Sequence, residues 1–492
     1  MCARQRAKIK RAGNNRTKRT RSAPRRASNA RQFKGLLEWL LPRKRIFAGL
    51  GLHGNTKWAP SALIGVALCW GWAESINVTD AFVTALDQCR QLGLMPLTTY
   101  QGFMNALVRW TDPLLALLWP LLHEHMHQIG GKFWQVGEWV PIAFDGSRGS
   151  APRSEANEKA LCAPNYGKGT TAKYRKKKSK GMRRRKNEKN KPQPQEPQAW
   201  ITLLWHMRLR LPWMWRLGPS NSSERRHVSE MLADADLPQN TLFCGDAGFI
   251  GYPLWAQILS QGYHFLVRVG ANVSLLAETT EWAYGKDGLV LCWPKTALQA
   301  GQPPLRLRLL KVKVGRTQMW MLTSVLDRSK LGRAQIIHLY QLRWGIELEF
   351  RGLKQTLNRA KLRCRNDRRL LAELHWSLMA MAVAELFALK EQLATARGRQ
   401  GPTAEPTKRS LANTMRALRN CLHHLRDVPE AGHDLLTRLR RAVTDDYVRK
   451  SSKKARYRPP NPDKKPLGDP QIRKITLQHK NQLNAQAHKI AA

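Results

Sequence analysis

The sequence is poor in acidic residues for its length. It has 35 Asp and Glu against 84 Lys and Arg in 492 residues, which leaves a formal net charge of +49 at neutral pH. A charge of this size exceeds what solubility requires, and it creates a field that attracts polyanions. The shortage of acid therefore favours nucleic acid as the partner.

Paired cysteines and long apolar runs are also missing. The eight cysteines contain no C-x-x-C pair, which argues against a zinc ribbon, a redox motif or a secreted disulfide framework. No apolar run reaches the roughly 18 residues that a membrane span needs, and the basic N-terminus lacks a signal-peptide core. We expect a cytoplasmic protein without membrane contact, associated with the nucleoid if its host is bacterial.

What the sequence does contain is enough apolar surface for sizeable cores, with 42% hydrophobic residues and 18 Trp. Composition and periodicity divide it into five predicted segments. These are a disordered basic arm at 1–35, a helical domain that could bind DNA at 36–135, an α/β domain at 136–395, a helical region at 396–447 and a basic tail at 448–492. Within the α/β domain we expect a basic loop at 165–198 and a β-rich insertion at about 270–328.

The helical segment carries apolar residues at helical spacing in three stretches. The third, "TTYQGFMNALVRW", follows the short turn "LGLMPLTT" and could be the recognition helix of a helix-turn-helix unit. A plain helical bundle explains the same pattern, and both interpretations stay open.

From about residue 137 the pattern changes to strands and helices in the order β, β, β, α, β, α, β, which predicts an α/β sheet. Two apolar runs, "EWVPIAFDG" and "TLFCGDAGF", each end at an acid, Asp145 and Asp246. We expect both acids at strand ends on one edge of the sheet.

The stretch "YQLRWGIELEF" predicts a helix with a polar stripe. At 100° per residue, Tyr340, Arg343, Glu347 and, further on, Lys354 fall within an arc of about 60°. The neighbouring face is apolar and should be buried. It consists of Leu339, Leu342, Ile346, Phe350, Leu353 and Leu357.

Three carboxylates from two strand ends and one helix suggest a site for divalent cations, because hard ions such as Mg²⁺ take carboxylate and phosphate oxygens. Each residue also has a simpler explanation. Asp145-Gly146 could be an ordinary turn, Asp246 a helix cap, and Glu347 the partner of Arg343 or Arg351 in a surface ion pair. The occurrence of all three acids together, two at strand ends followed by one on a helix, favours the metal site over these separate explanations.

These residues resemble the DDE transposases of the IS4 type, whose third acidic region has the signature Y-(2)-R-(3)-E-(6)-K. The signature is complete here as Tyr340, Arg343, Glu347 and Lys354, and "FDGSRG" and "GDAGF" resemble the first and second acidic regions. The resemblance implies a ribonuclease H-like catalytic fold interrupted by a β insertion, which agrees with the pattern at 270–328. It also implies that Asp145, Asp246 and Glu347 are the catalytic, metal-binding triad and that Tyr340, Arg343 and Lys354 contact DNA phosphates.

The activity that the resemblance implies is cut-and-paste transposition of an insertion sequence. Two Mg²⁺ ions per site, or Mn²⁺, would support strand cleavage and strand transfer, and a homodimer would hold the paired double-stranded transposon ends and the target DNA. Some relatives stack a flipped base on a Trp of the β insertion. Trp282, Trp293 and Trp320 are available for this, although core packing explains each of them as well.

Two other functions fit parts of the sequence. "HEHMH" matches H-E-x-x-H, so His123 and His127 could bind zinc with Glu124 as the general base of a metalloprotease. A non-catalytic, domesticated DNA-binding protein would share the basic charge but would not need three intact acids.

Overall fold

A computed structural model describes residues 27–42, 44–53, 56, 58–94, 97–161, 196–277, 287–315, 317–394, 405–444 and 467–483. Nearly all of the predicted basic loop and most of the predicted arm and tail lie outside these residues, as does Trp282.

The N-terminal part of the described chain is helical and the middle part is α/β. The α-helices are α1 Asn29–Leu40, α2 Pro60–Trp72, α3 Val78–Gln91, α4 Tyr100–Gly130, α5 Glu155–Leu161, α6 Glu224–Asp234, α7 Tyr252–Ser260, α8 Lys295–Gln299, α9 Arg333–Arg343, α10 Gly345–Arg351, α11 Asp367–Ala394, α12 Leu411–His423 and α13 Leu435–Arg440. Shorter turns of 3-10 helix span Lys44–Leu50, Gly131–Phe133 and Pro406–Lys408, and a π-helical turn spans Gly352–Thr356. Local signals set some of these ends: Thr99 caps α4 by accepting from the Gly102 amide at 3.1 Å, and Gly93 follows α3 at a φ of +70°.

Ten strands form one mixed sheet. They are β1 Val140–Ser150, β2 Gln198–His206, β3 Leu211–Gly218, β4 Thr241–Gly245, β5 His264–Val269, β6 Ser274–Ala277, β7 Gly288–Cys292, β8 Leu305–Val314, β9 Thr317–Thr323 and β10 Gln471–Arg473. The sheet order is β10-β6-β7-β8-β9-β5-β4-β1-β2-β3. One half of the sheet has the order β5-β4-β1-β2-β3. In it, β1 pairs antiparallel with β2 and β2 with β3, while β4 and β5 run parallel to β1. This is the ribonuclease H-like arrangement. This confirms the predicted fold class.

The segment after β5 extends the same sheet. β8 and β9 form a hairpin that turns at Gly315, and β9 pairs antiparallel with β5. The predicted strand-rich segment is therefore a lateral extension of the sheet. Its apolar residues, including Leu307, Leu309, Met321 and Leu322, are buried.

The N-terminal helices share a core with α11. The indole N–H of Trp72 in α2 donates to the carbonyl oxygen of Ala380 at 2.7 Å, and that of Trp376 donates to Thr111 Oγ1 in α4 at 3.0 Å. α11 has the length and composition of a membrane span, but 89% of its most apolar window is buried inside the protein. Its apolar surface is thus used for packing.

One expectation about the strands is wrong. Asp145 does not end β1, which continues to Ser150 because β2 pairs with it along that whole length, with Asp145 opposite Leu203. The parallel pairing of β1 with β4 stops earlier, at Ala143 opposite Cys244. Asp145 therefore lies where the pairing of β1 with β4 has ended and its pairing with β2 continues.

The predicted single helix through the signature is also interrupted. It breaks at Trp344 between α9 and α10, and α10 passes directly into the π-helical turn. A constant 100° per residue therefore does not hold from Tyr340 to Lys354. The apolar face is nevertheless buried at Leu339, Ile346, Phe350, Leu353 and Leu357, and Leu342 packs against the core as a half-buried residue.

Candidate active site

Asp145 and Asp246 come from neighbouring parallel strands. Each lies two residues after the last paired positions, Ala143 and Cys244, so the two side chains follow the same edge of the β1–β4 ladder. Both carboxylates are oriented by local amides: Asp145 Oδ1 accepts from the Gly146 N–H at 2.8 Å, and Asp246 Oδ1 accepts from the Gly248 N–H at 2.7 Å. The sequence pattern alone was enough to select both residues.

Glu347 is brought to this edge by the start of α10. A Cβ on Gly345 would lie 2.3 Å from Cη2 of Trp205 in β2, and Trp205 is paired with Ala143 in β1. Only a residue without a side chain allows the helix to approach the sheet so closely. Glu347 follows two residues later, with 37% of its side chain exposed.

Electrostatics link the three acids. Burial raises the pKa of Asp145 to about 6, with the nearby charges of Asp246 and Glu347 acting in the same direction. The Gly146 N–H and the Arg343 guanidinium oppose this rise in the pKa. Residues that are far apart in the sequence therefore influence the pKa of the Asp145 carboxyl group.

Arg343 lies beneath the acidic edge rather than at its margin. It is 3% exposed, and its Nη2 lies 3.4 Å from Glu347 Oε1. Its guanidinium carbon stands 5.4 Å from the ring centre of Tyr340 and 5.9 Å from that of Trp344. Of the two ion pairs considered for Glu347, the structure contains the one with Arg343.

Lys354 lies on the π-helical turn and is half-buried. Burial lowers the pKa of its ammonium group. Tyr340 is also half-buried, whereas Trp344 is 58% exposed. Sequence reasoning passed over Trp344, although it stands inside the signature, because nothing in the pattern distinguishes an exposed indole from a buried one.

The three acids are neighbours without forming a compact ligand cage. In the described part of the chain, no group of three or more His, Cys, Asp or Glu side chains is arranged to hold a metal ion. Mg²⁺ does not require such a cage, because it keeps several waters and is commonly held by one or two carboxylates together with substrate phosphates. Two aspartates on adjacent strands, with Glu347 nearby, fit that kind of donor set.

A fourth acid that sequence reasoning missed lies beside them. Glu224 is the first residue of α6, and burial raises its pKa to about 7, with the charges of Asp145 and Asp246 acting in the same direction. In the sequence it is indistinguishable from an acid that stabilises a helix N-terminus.

The proposed zinc ligands have other partners. The ring of His123 stacks on Trp213 with centres 3.9 Å apart, and its Nε2 donates to the carbonyl oxygen of Trp213 at 2.8 Å. The rings of His127 and Trp134 form a T-shaped contact with centres 4.9 Å apart, and Glu124 accepts from Gln128 at 2.9 Å. The H-E-x-x-H match is therefore explained by packing of α4, and the metalloprotease is not favoured.

Two of the three candidate stacking tryptophans are buried. Trp293 is 4% exposed and donates to the carbonyl oxygen of Gln302, and Trp320 is 2% exposed and donates to Asp469. Core packing, which was the simpler explanation, therefore accounts for both tryptophans.

Residues 169–383 match the family model described as the transposase DDE domain, which covers somewhat less than half of the chain. Residues 169–383 thus form a transposase DDE domain. The matched range includes Asp246, Glu347 and the rest of the signature, while Asp145 lies before it.

Comparison with solved structures finds a similarity to a piggyBac transposase synaptic complex with hairpin DNA. The sequence identity is 11%, the TM-score is 0.36, and the alignment covers 85% of this chain and 84% of that chain. Comparison with curated proteins finds no match.

Proposed function

We propose that Asp145, Asp246 and Glu347 are the catalytic residues of an IS4-type transposase that excises and inserts an insertion sequence by a cut-and-paste reaction. The observation that carries this proposal is the convergence of the three acids. Two neighbouring strands bring Asp145 and Asp246 to one edge, and Asp145 is within electrostatic reach of Glu347. The match to the transposase DDE domain supports the same assignment.

The three carboxylates would hold two Mg²⁺ or Mn²⁺ ions. Such a pair of ions activates the attacking oxygen and stabilises the leaving oxygen of a phosphodiester. The protein's own part is positional. The Gly146 and Gly248 amides orient the two aspartates, and Arg343 holds Glu347 beside them.

Tyr340, Arg343 and Lys354 contact DNA phosphates near the cleaved end in this proposal. Burial of Arg343 under Tyr340 and Trp344 gives its guanidinium a fixed position, which suits recognition of a phosphate. Trp344 takes the role of the stacking residue, because its exposed indole lies next to this cation. Exposed aromatic side chains beside cations are common where proteins bind single-stranded or distorted DNA.

The partners are the double-stranded transposon ends and the target DNA, held by a homodimer in a paired-end complex. The net charge of +49 supports binding to both, since each neutralised phosphate releases counterions. The working compartment is the cytoplasm, at the nucleoid if the host is bacterial.

The test is a cleavage assay with purified protein, Mg²⁺ and labelled DNA that carries the ends of the element. Asp145→Ala should abolish cleavage while DNA binding persists, and the matched Glu124→Ala change in the H-E-x-x-H stretch should leave cleavage intact. Loss of cleavage with Glu124→Ala alone would overturn the assignment. Binding without cleavage by the wild type would favour a non-catalytic DNA-binding protein.

A further inference from the structure

The end of β1 has two faces, and the signature occupies one of them. Side chains alternate along a strand, so Asp145 shares a face of the sheet with Ala143. Trp205 pairs with Ala143, and α10 packs against Trp205 at Gly345, where a Cβ would lie 2.3 Å from the indole. The helix that carries the third acid therefore lies on the same face as the Asp145 side chain.

Arg148 lies on the opposite face. It shares that face with Gly146, where a Cβ would lie 2.2 Å from Glu224 Oε1 at the start of α6. Beyond the end of its ladder with β4, β1 pairs only with β2, so Arg148 stands on a two-stranded ribbon. At about 3.3 Å per residue, it lies about 10 Å past Asp145. The ribbon thus carries a cation away from the acidic edge on the side of α6.

A tryptophan orients the guanidinium of Arg148. The guanidinium carbon lies 4.0 Å from the ring centre of Trp200, which is the residue paired with Arg148 in β2. Stacking on an aromatic face fixes the planar group while its N–H groups stay available to an anion. Arg148 is nevertheless exposed. A cation that is both oriented and exposed suits the binding of a phosphate.

The charge of Arg148 is not used inside the described part of the protein. Among the described residues, Arg148 takes part in no ion pair within 4.0 Å and in no hydrogen bond, whereas Arg216 and Arg226 on the same side of the sheet pair with Glu230 at 2.6 Å and 2.8 Å. Arg148 also opposes the rise in the pKa of Glu224 that burial and the nearby aspartates cause. Its charge is therefore free to act on a ligand and lies within electrostatic reach of the acidic edge.

This inference rests on the proposed strand-transfer activity, in which one active site must hold two DNA segments. We propose that Arg148, oriented by Trp200, binds a phosphate of the target DNA on the α6 face, opposite the transposon end held by the signature. A DNA strand carries one phosphate per about 3.4 Å of helix axis, so a contact about 10 Å from Asp145 falls about three nucleotides from the reacting phosphate.

The experiment measures strand transfer of labelled, pre-cleaved transposon ends into plasmid DNA by the full-length protein with Mg²⁺, over a series of target concentrations. Arg148→Gln removes the charge and keeps a polar side chain. We expect the target concentration for half-maximal strand transfer to rise about tenfold, the loss expected for one charge-assisted contact. Binding of the pre-cleaved end, measured by fluorescence anisotropy without target DNA, should be unchanged.

Arg226→Gln is the matched control, because it removes an exposed cation of α6 that is already paired with Glu230. It should require the same target concentration as the wild type.

Trp200→Leu is the second variant, because it leaves Arg148 in place and removes the aromatic face that orients it. It should raise the half-maximal target concentration by a smaller factor than Arg148→Gln, and Trp200→Phe should restore most of the loss. A purely structural role of Trp200 would lower the maximal rate without changing the target requirement. Circular dichroism confirms that each variant is folded.

The outcomes separate this inference from the proposed function. If Arg148→Gln requires no more target DNA than the wild type, the contact is refuted. If it weakens binding of the pre-cleaved end as much as strand transfer, Arg148 contacts the transposon end and the assignment to target DNA is wrong. A wild type that transfers no ends would overturn the proposed function itself. A raised target requirement in Arg148→Gln and Trp200→Leu, with normal end binding and a normal control, supports the target contact.

Discussion

Arg343 and Glu347 form an ion pair one helical turn apart, with Nη2 and Oε1 separated by 3.4 Å, although the helix that carries them breaks at the intervening Trp344. The arginine is almost fully buried and the glutamate is partly exposed. The break places the acid toward solvent at the edge of the sheet, and the cation remains beneath it. Two members of one signature thus depend on each other for their position.

Arg343→Lys is expected to slow DNA cleavage about tenfold to a hundredfold with a smaller effect on DNA affinity. A lysine keeps the charge, but it lacks the planar group that lies near Tyr340 and reaches Glu347. Single-turnover cleavage rates measure the effect. The control is Arg351→Lys, an exposed change at the end of α10, and equal rates for Arg343→Lys and the wild type would refute the positioning role.

Trp344→Ala is expected to weaken binding to pre-cleaved transposon ends by about tenfold, because stacking of a base on an aromatic side chain contributes about 1–3 kcal/mol. Trp344→Phe should retain most of the affinity. Fluorescence anisotropy with labelled DNA measures both. Ile76→Ala, which changes another exposed apolar residue, should have no effect. A normal affinity for Trp344→Ala would remove this residue from the DNA interface.

Lys354→Gln is expected to weaken binding to all DNA sequences alike and to reduce the slope of log K against log salt by about one, as expected for one lost phosphate contact. Titrations over a series of salt concentrations give the slope. Lys159→Gln is a suitable control because Lys159 already pairs with Glu155 at 2.6 Å. An unchanged slope for Lys354→Gln would contradict the phosphate contact.

Gly71→Ala is expected to destabilise the protein by about 1–3 kcal/mol, because overpacking strains a close-packed interface. A Cβ at Gly71 in α2 would lie 2.6 Å from the Cβ of Ala380 and 3.1 Å from the carbonyl oxygen of Trp376, both in α11. Gly35→Ala in α1 meets nothing within 4 Å and should be neutral or slightly stabilising. Urea unfolding compares the two, and equal stabilities would disprove the tight contact between α2 and α11.

Acid should destabilise the protein through His206. This side chain is fully buried, its Nδ1 accepts from the Leu209 N–H at 3.2 Å, and burial lowers its pKa to about 3. The unfolded chain binds a proton below about pH 6.5 and the folded chain does not, so stability is lost as the pH falls through that value. The loss from this residue should be about 2 kcal/mol at pH 5.

His206→Asn tests this, since an amide oxygen can accept the same hydrogen bond without titrating. The free energy of unfolding of this variant should change less between pH 7.5 and 5 than that of the wild type. Identical pH dependences would show that His206 does not contribute.

Much of the α/β part was predictable because its signals are local. Alternating and apolar runs identified β1 to β5, and the glycine turn identified the β8–β9 hairpin. The residue spacing of the signature selected Tyr340, Arg343, Glu347 and Lys354 as candidates. These features depend on neighbours within a few residues of one another. Helix α5 has a weak local pattern and was missed, and β6 and β7 lie in the predicted β-rich insertion although neither was picked out as a separate strand.

The sequence by itself determined the basic charge, the order of β1 to β5 and the choice of three candidate acids, because composition and periodicity are properties of the chain. Only the tertiary structure decided that β1 runs on past Asp145, that Arg343 rather than Arg351 holds Glu347, and that Trp344 is exposed while Trp293 and Trp320 are buried. It also brought Glu224 to Asp145 across 79 positions. The reason is physical: strand length, burial and the proximity of charges depend on which segments pack together, and no single segment carries that information.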